Sequence, residues 1–343
     1  MPPQPPPFGA QQYWEDRFSA DTNPFEWLQA PTALDPYLVT ALKETPHERP
    51  ELLHIGCGTS LLSYHLRTHV KDPEQIHNLD YSEAAIRLGR KRELDIYNLE
   101  DSGQMQPVAY GHAPDIQDRA SHHSNGPINI SSKHTYMRWT SANLLSHTSL
   151  LQTCKPNTYS LIVDKSTSDS IACADDFHVP LPYPIGTSDS RYDTSHLRET
   201  SEPVYPLHIL GIHMALLAKP NAQWITLSYS SDRYPFLELP PSAPDSNPTG
   251  EAPAVAGGTK DSERETDRCN SELDIDFDDI PLKIIESGLP DPGVLWRLQS
   301  KYEIEVPQQP ASGGGSVTHK PKVIHWVYVL QRTDVPVFVR DPL

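Results

Sequence analysis

Short apolar runs of strand length alternate with longer stretches of helical spacing along most of this 343-residue chain. That alternation restricts the fold more than any other feature. "ELLHIG" is an apolar run, and "SLLSYHLRTHV" behind it places Leu62, His65 and Leu66 at helical spacing. "QIHNLD" is a second run, followed by the charged helical stretch "EAAIRLGRKRELDIYN". "TYMRWTSANLL" supplies a third strand and its loop, "YSLIVDKS" a fourth, and "AQWITLSYS" a fifth after the helix "PLHILGIHMALLA". "PLKIIESG" and "KPKVIHWVYVLQR" read as two more strands, with "GVLWRLQSKY" a short helical stretch between them. Strands alternating with helices bury a mostly parallel sheet between helices on both faces. So little helix separates the last two strands that a late antiparallel strand is expected there.

The 35 prolines cluster outside this pattern. Residues 1–10 read as a disordered Pro-rich tail, and about 101–134, 175–204, 238–280 and 308–320 as long disordered insertions. Such polar stretches bury too little apolar surface to offset their ordering entropy. The segments between them complete one pattern, so residues 11–335 read as a single domain carrying insertions. Acidic residues number 45 against 28 basic, a net charge of -17. That balance argues against nucleic acid as a partner and favours a basic protein. Four cysteines (Cys57, Cys154, Cys173, Cys269) show no metal-ligand spacing and no disulfide framework, as expected of reduced thiols in the cytoplasm. The N-terminus lacks the basic and apolar regions of a signal peptide. No apolar run approaches the ~20 residues of a membrane span. The run "DSERETDRCNSE" has Thr266 where a calcium loop needs glycine. His112, His122, His123 and His134 sit in a polar segment and read as a solvated loop, not a metal cluster.

Chemistry enters at "GCGTS", where the first apolar run turns into a helical stretch. In open α/β sheets, ligands bind outside the carboxyl ends of the strands. A dinucleotide fingerprint wants glycine at Leu61, which is absent, so a pyrophosphate loses support. Asp80 ends the second run about 20 residues on, where an acid accepts hydrogen bonds from a ribose diol. Ribose without pyrophosphate points to S-adenosylmethionine. A plain strand-to-helix turn at the glycines and a helix cap at Asp80 are the bland alternatives.

In this order, "YWEDRF", "NPFEWL", "HIGCGTSLLS", "NLDYS" and "VDKSTSDSI" resemble the seven-strand (class I) S-adenosylmethionine-dependent methyltransferases that include the lysine methyltransferases of elongation factor 1A. The resemblance implies a Rossmann-like seven-stranded sheet. It makes Gly56 a backbone contact to the methionine part of the cofactor and lets Gly58 approach closely. It gives Asp80 the ribose hydroxyls and makes Tyr81 a cover for the adenine, which Asn143 and Leu144 also meet. Asn143 stands where the family usually has Asp, and its carbonyl can accept the same bond. Trp14, Phe18 and Trp27 match aromatic positions of a segment closing over the cofactor. Lys165 matches a cofactor-contacting lysine, and Asp164 is the candidate catalytic group, lining the site and orienting the incoming amine. Two departures stand out: His54 in place of a frequent acid, and Ser166 in place of a glycine.

The implied activity is methylation of a protein lysine by a cytoplasmic monomer, with elongation factor 1A as the implied substrate. A small-molecule methyltransferase, or a degenerate chain that binds cofactor or partner without turnover, are the alternatives.

Overall fold

The computed structural model describes residues 5–101, 135–187, 198–237, 280–306 and 322–340. The acidic run 261–272 and His112, His122, His123 and His134 lie outside the described residues. Seven strands form the central sheet: β1 (Leu52–Ile55), β2 (Ile76–Asp80), β3 (Arg138–Ser141), β4 (Tyr159–Lys165), β5 (Ala218–Ser228), β6 (Trp296–Glu305) and β7 (Ile324–Arg332). Their order is β3-β2-β1-β4-β5-β7-β6. β7 runs antiparallel to both its neighbours, and the pairings from β3 across to β5 are all parallel. β1, β2 and β4 are buried along their whole length, which is why they read as near-continuous apolar runs.

Strand side chains alternate between two cores. Leu53, Ile55, Ile162 and Trp224 enter one, which is filled by α7 (Pro206–Leu217), a helix buried at all twelve of its positions. Leu52, Leu161, Val163 and Ile225 enter the other, against Leu38 of α2 (Asp35–Glu44) and Leu62 and Leu66 of α3 (Leu62–Leu66). A third cluster joins Trp14 and Phe18 of α1 (Gln11–Ala20) to Ala84 and Ala85 of α4 (Glu83–Asp101). Two further short helices, α5 (His147–Thr153) and α6 (Thr167–Ile171), follow β3 and β4.

Three expectations need correcting. "PLKIIESG" holds a short helix, α8 (Leu282–Glu286), and the strand lies in "WRLQSKYEIE". Pro281 fixes its own φ at the start of that turn, and of the α8 residues only Ile284 is buried. In β6, Trp296, Leu298 and Ile304 alternate with exposed Arg297, Gln299 and Glu303, the period of an edge strand. The late antiparallel pairing is therefore present, but between β6 and β7. Second, the described parts of 175–204 are packed, with Val179, Tyr183, Ile185 and Val204 in the α7 core. Prolines there punctuate an extended chain whose apolar residues alternate inward. Third, Phe8 ends the Pro-rich run by packing against Trp14 and Trp27. Among the described residues, Cys57, Cys154 and Cys173 are free thiols, and no helix is long and apolar enough to cross a membrane.

Candidate active site

The strand order reverses between β1 and β4, and the crevice outside their carboxyl ends is where such sheets bind ligands. A cavity of about 870 Å³, counting its open mouth, lies there. One wall is the loop after β1. Gly56 and Gly58 take positive φ values of +56° and +48°, a region that side chains resist. A Cβ on Gly56 would meet Thr167 Oγ1 at 2.1 Å, and one on Gly58 would meet Phe18 at 3.1 Å. The turn is held from the sheet: Cys57 N donates to Leu79 O at 3.0 Å and Gly58 N to Asp80 Oδ2 at 2.8 Å. Thr167 Oγ1 donates to Ile55 O, so the start of α6 is tied to the same turn.

Asp80 is buried and borders the cavity beside Tyr81. Its other oxygen accepts from Ser82 N at 2.8 Å. Burial raises its carboxyl to about 6, against the two amides that favour the ionised form. Each oxygen keeps one lone pair for a ligand hydroxyl. Asn143 and Leu144 border the cavity from the loop after β3. Asn143 Oδ1 accepts from Leu145 N at 2.9 Å, which closes the loop on itself. Leu144 O accepts from His213 Nδ1 at 2.7 Å, and His213 Nε2 then accepts from the Tyr183 hydroxyl at 2.7 Å. Burial holds His213 neutral by lowering it to about 4. The sequence reading missed this His213–Tyr183 support, because helical periodicity shows a histidine on a core face but not its partner.

The opposite wall is a strap formed by residues 5–35. Trp14 and Phe18 stack at 5.6 Å, and Trp27 meets Trp14 edge-on at 6.0 Å. Phe8, Phe25 and Trp27 complete an aromatic face on the cavity. Glu26 is the residue that the sequence reading passed over. Its carboxylate accepts from Leu61 N at 2.5 Å and from Ser60 Oγ, and pairs with Lys165 Nζ. Lys165 also donates to Trp27 O at 2.9 Å and Gln29 O at 3.2 Å. Lys165 thus borders the cavity, but its ammonium is spent on the strap. Burial lowers its pKa, with Glu26 opposing. At the far end, Glu15 accepts from Ser82 Oγ and Ala84 N, capping α4.

Asp164 does not border the cavity. It is fully buried, accepting from Thr167 N and from the Ser168 backbone and hydroxyl, and Ser168 leads on to Tyr234. Burial lifts Asp164 to about 7. Its place is under α6, where it fixes the start of that helix. The expectation that it lines the site and meets an amine is not what the geometry gives. Ser166 does border the cavity, in a left-handed conformation at φ 67°. His54 is a core residue whose Nδ1 lies 3.0 Å from Ser63 Oγ and 3.1 Å from Asn78 Oδ1, kept neutral by burial that lowers it to about 4.

All the residues read from sequence as cofactor contacts therefore meet around one cavity. Its features fit S-adenosylmethionine: a glycine cradle that a Cβ would fill, a carboxylate with spare acceptor sites at the end of β2, and aromatic cover without a phosphate-binding charge cluster. No family model matches the chain. Over 238 residues it is 28% identical to methyltransferase srdJ of Neurospora crassa, covering 69% of this chain and 73% of that one. Among solved structures it is similar to an S-adenosylmethionine-dependent methyltransferase of Methanosarcina mazei, at 13% identity and a TM-score of 0.36, covering 85% of this chain and 96% of the other. It is also similar to the CurJ carbon methyltransferase, at 10% identity and a TM-score of 0.37, covering 89% and 54%. The strand order, with its single antiparallel strand, is that of the class I methyltransferases. The chain is thus similar to a methyltransferase over two thirds of its length, and its cavity fits S-adenosylmethionine.

Proposed function

We propose that the chain is an S-adenosylmethionine-dependent methyltransferase acting on the side-chain amine of a protein lysine, with a translation elongation factor of the 1A type as the substrate its motifs suggest. One observation carries the reading. Beyond Asp80, whose spare lone pairs face the ribose, and Lys165, spent on the strap, the described cavity wall offers aromatic, aliphatic, small, hydroxyl and amide side chains and no other charged group. S-adenosylmethionine, when bound, supplies an electrophilic methyl group on a sulfonium. The protein's part is then to align the acceptor and exclude water. Phe8, Phe25 and Trp27 form a wall that attracts a cationic amine and, by desolvating it, lowers its pKa from near ~10.4. The amine surrenders its proton to solvent at the mouth, since no unengaged carboxylate borders the described cavity.

A small apolar acceptor is the second reading, favoured by the way the strap roofs the cavity. Incubation of the purified enzyme with methyl-labelled cofactor and cell extract separates the two. The expected result is a protease-sensitive labelled band whose mass spectrum places the methyl groups on lysine. Label confined to the metabolite fraction overturns the lysine reading in favour of the second.

A further inference from the structure

On the outer side of α3, away from the cavity lining, three metal-ligating side chains converge. Asp35 Oδ1 lies 2.5 Å from His65 Nε2 and 3.0 Å from His69 Nε2. All three ligand atoms lie within 4.8 Å of one another. We propose that Asp35, His65 and His69 form a binding site for a divalent transition-metal ion, Zn²⁺ foremost, that clasps the strap to α3.

The placement follows from the chain. His65 lies in α3 and His69 in the 3₁₀ turn Arg67–His69 that continues it, so a four-residue spacing sets both imidazoles on one side. Their rings meet edge-to-face at 5.2 Å. Asp35 is the first residue of α2. The two backbones are locked together beneath the site by Leu34, Leu38, Leu62 and Leu66, each fully buried. The ligand side chains keep 37%, 19% and 14% exposure for Asp35, His65 and His69, enough for an ion to enter and to keep a water ligand.

Zinc bonds of ~2.0–2.2 Å to nitrogen and oxygen put neighbouring tetrahedral ligand atoms ~3.3 Å apart. To reach that, the Asp35 oxygen must move away by about 0.8 Å from its 2.5 Å spacing to His65 and by about 0.3 Å from its 3.0 Å spacing to His69. Two imidazoles and one carboxylate suit Zn²⁺, with Co²⁺ and Ni²⁺ as substitutes, and do not suit Ca²⁺ or Mg²⁺. Without metal, one carboxylate oxygen serves two imidazole N–H groups. With metal, each neutral imidazole keeps its proton on Nδ1 and turns the Nε2 lone pair to the ion. Glu26 already holds one end of the stretch 26–35 to Leu61, the residue before α3. A metal at Asp35 would hold the other end, so that residues 26–35 span the helix between two clasps.

The test uses the full-length protein, stripped of metal with a chelator and titrated with CoCl₂ or ZnCl₂ alone. We expect one saturable equivalent, a visible Co²⁺ absorption that Zn²⁺ displaces, and a rise of several degrees in Tm. His69→Gln and Asp35→Asn should each weaken this binding by more than about tenfold, since even outer partners of a metal site carry that much. A His122→Ala/His123→Ala variant should bind as wild type does. The proposal is overturned by the absence of saturable binding. It is equally overturned if His69→Gln and Asp35→Asn, both folded by circular dichroism, keep the equivalent, or if His122→Ala/His123→Ala loses it.

Discussion

The two walls of the cavity are built by different means. The sheet wall is positioned by backbone: Cys57 N on Leu79 O, Gly58 N on Asp80, and Ala142 N on Asp80 O at 2.9 Å all continue the ladders of β1, β2 and β3. The strap wall is positioned by side chains: an aromatic cluster, Glu26 on Lys165 and α3, and Glu15 on the start of α4. Once the sheet folds, the first wall exists. The second depends on a few side-chain clasps outside the sheet's ladders.

The largest effect belongs to the sheet wall. Gly56→Ala puts a methyl group 2.1 Å from Thr167 Oγ1 at a φ of +56°. Either the turn or the start of α6 must move. We expect cofactor affinity to fall by at least about 100-fold, the scale of a misplaced binding group, with the circular dichroism of the sheet retained. Calorimetry showing wild-type affinity would break the claim that this wall is rigid.

Next comes the strap. Glu26→Gln leaves the Lys165 ammonium, with 3% of its side chain exposed, without its counter-charge. Removing one partner of a buried pair costs about 3 kcal/mol. Denaturant unfolding should show that loss, and cofactor affinity should fall about tenfold as the strap loosens. Adding Lys165→Met to Glu26→Gln should recover stability but not affinity. Recovery of both would mean that Glu26 serves only to neutralise Lys165 and does not hold the strap.

This division explains what the sequence made legible. The sheet wall could be read because its requirements are local: two glycines where φ must be positive, and an acid at the end of the next apolar run. The strap could be read only as aromatic positions. Glu26 meets Lys165 across 139 positions of sequence, and no periodicity carries that pairing. Phe8 was hidden by its proline neighbours, although one aromatic in an otherwise apolar-poor run is itself a packing signal. Asp164 was misplaced for a physical reason. A charged residue ending a central strand can point into the crevice or cap the helix that follows, and spacing does not separate the two. Thr167 N and Ser168 N, beginning α6, took it. β6 was missed because its alternation is that of a half-exposed edge, weaker than the continuous runs of β1 and β4.

A pH experiment sharpens the comparison, because one group on the sheet wall answers in two opposite directions. Burial raises Asp80 from 3.8 to about 6. In the window between those values the folded chain holds a proton that the unfolded chain has lost. Its contribution to stability is therefore full below the lower value and lost as pH rises through the upper one. Asp164, raised to about 7, has the same sign. Cofactor binding runs the other way. An ionised carboxylate is the stronger acceptor for ribose hydroxyls, so affinity should climb by up to about tenfold as pH rises through the Asp80 value. Asp80→Asn should flatten the affinity profile. A wild-type profile that stays flat over the same range would remove Asp80 from the ligand contacts.

The smallest effect expected is a gain, and it also lies on the sheet wall. Ser166 sits at φ 67° and ψ 9°, where a side chain costs roughly 1–2 kcal/mol. Its backbone is well used, with N donating to Leu227 O at 2.9 Å and O accepting from Ser170 N at 3.1 Å, and glycine keeps both bonds. Ser166→Gly removes the strain but widens the unfolded ensemble, which returns roughly 0.5–1 kcal/mol of the benefit. The net expectation is a stabilisation of about 0.5 kcal/mol, read as a small rise in denaturation midpoint at unchanged slope, with cofactor affinity intact. A destabilised Ser166→Gly would show that the hydroxyl, not the backbone, holds this turn. The sheet wall would then share the side-chain dependence of the strap.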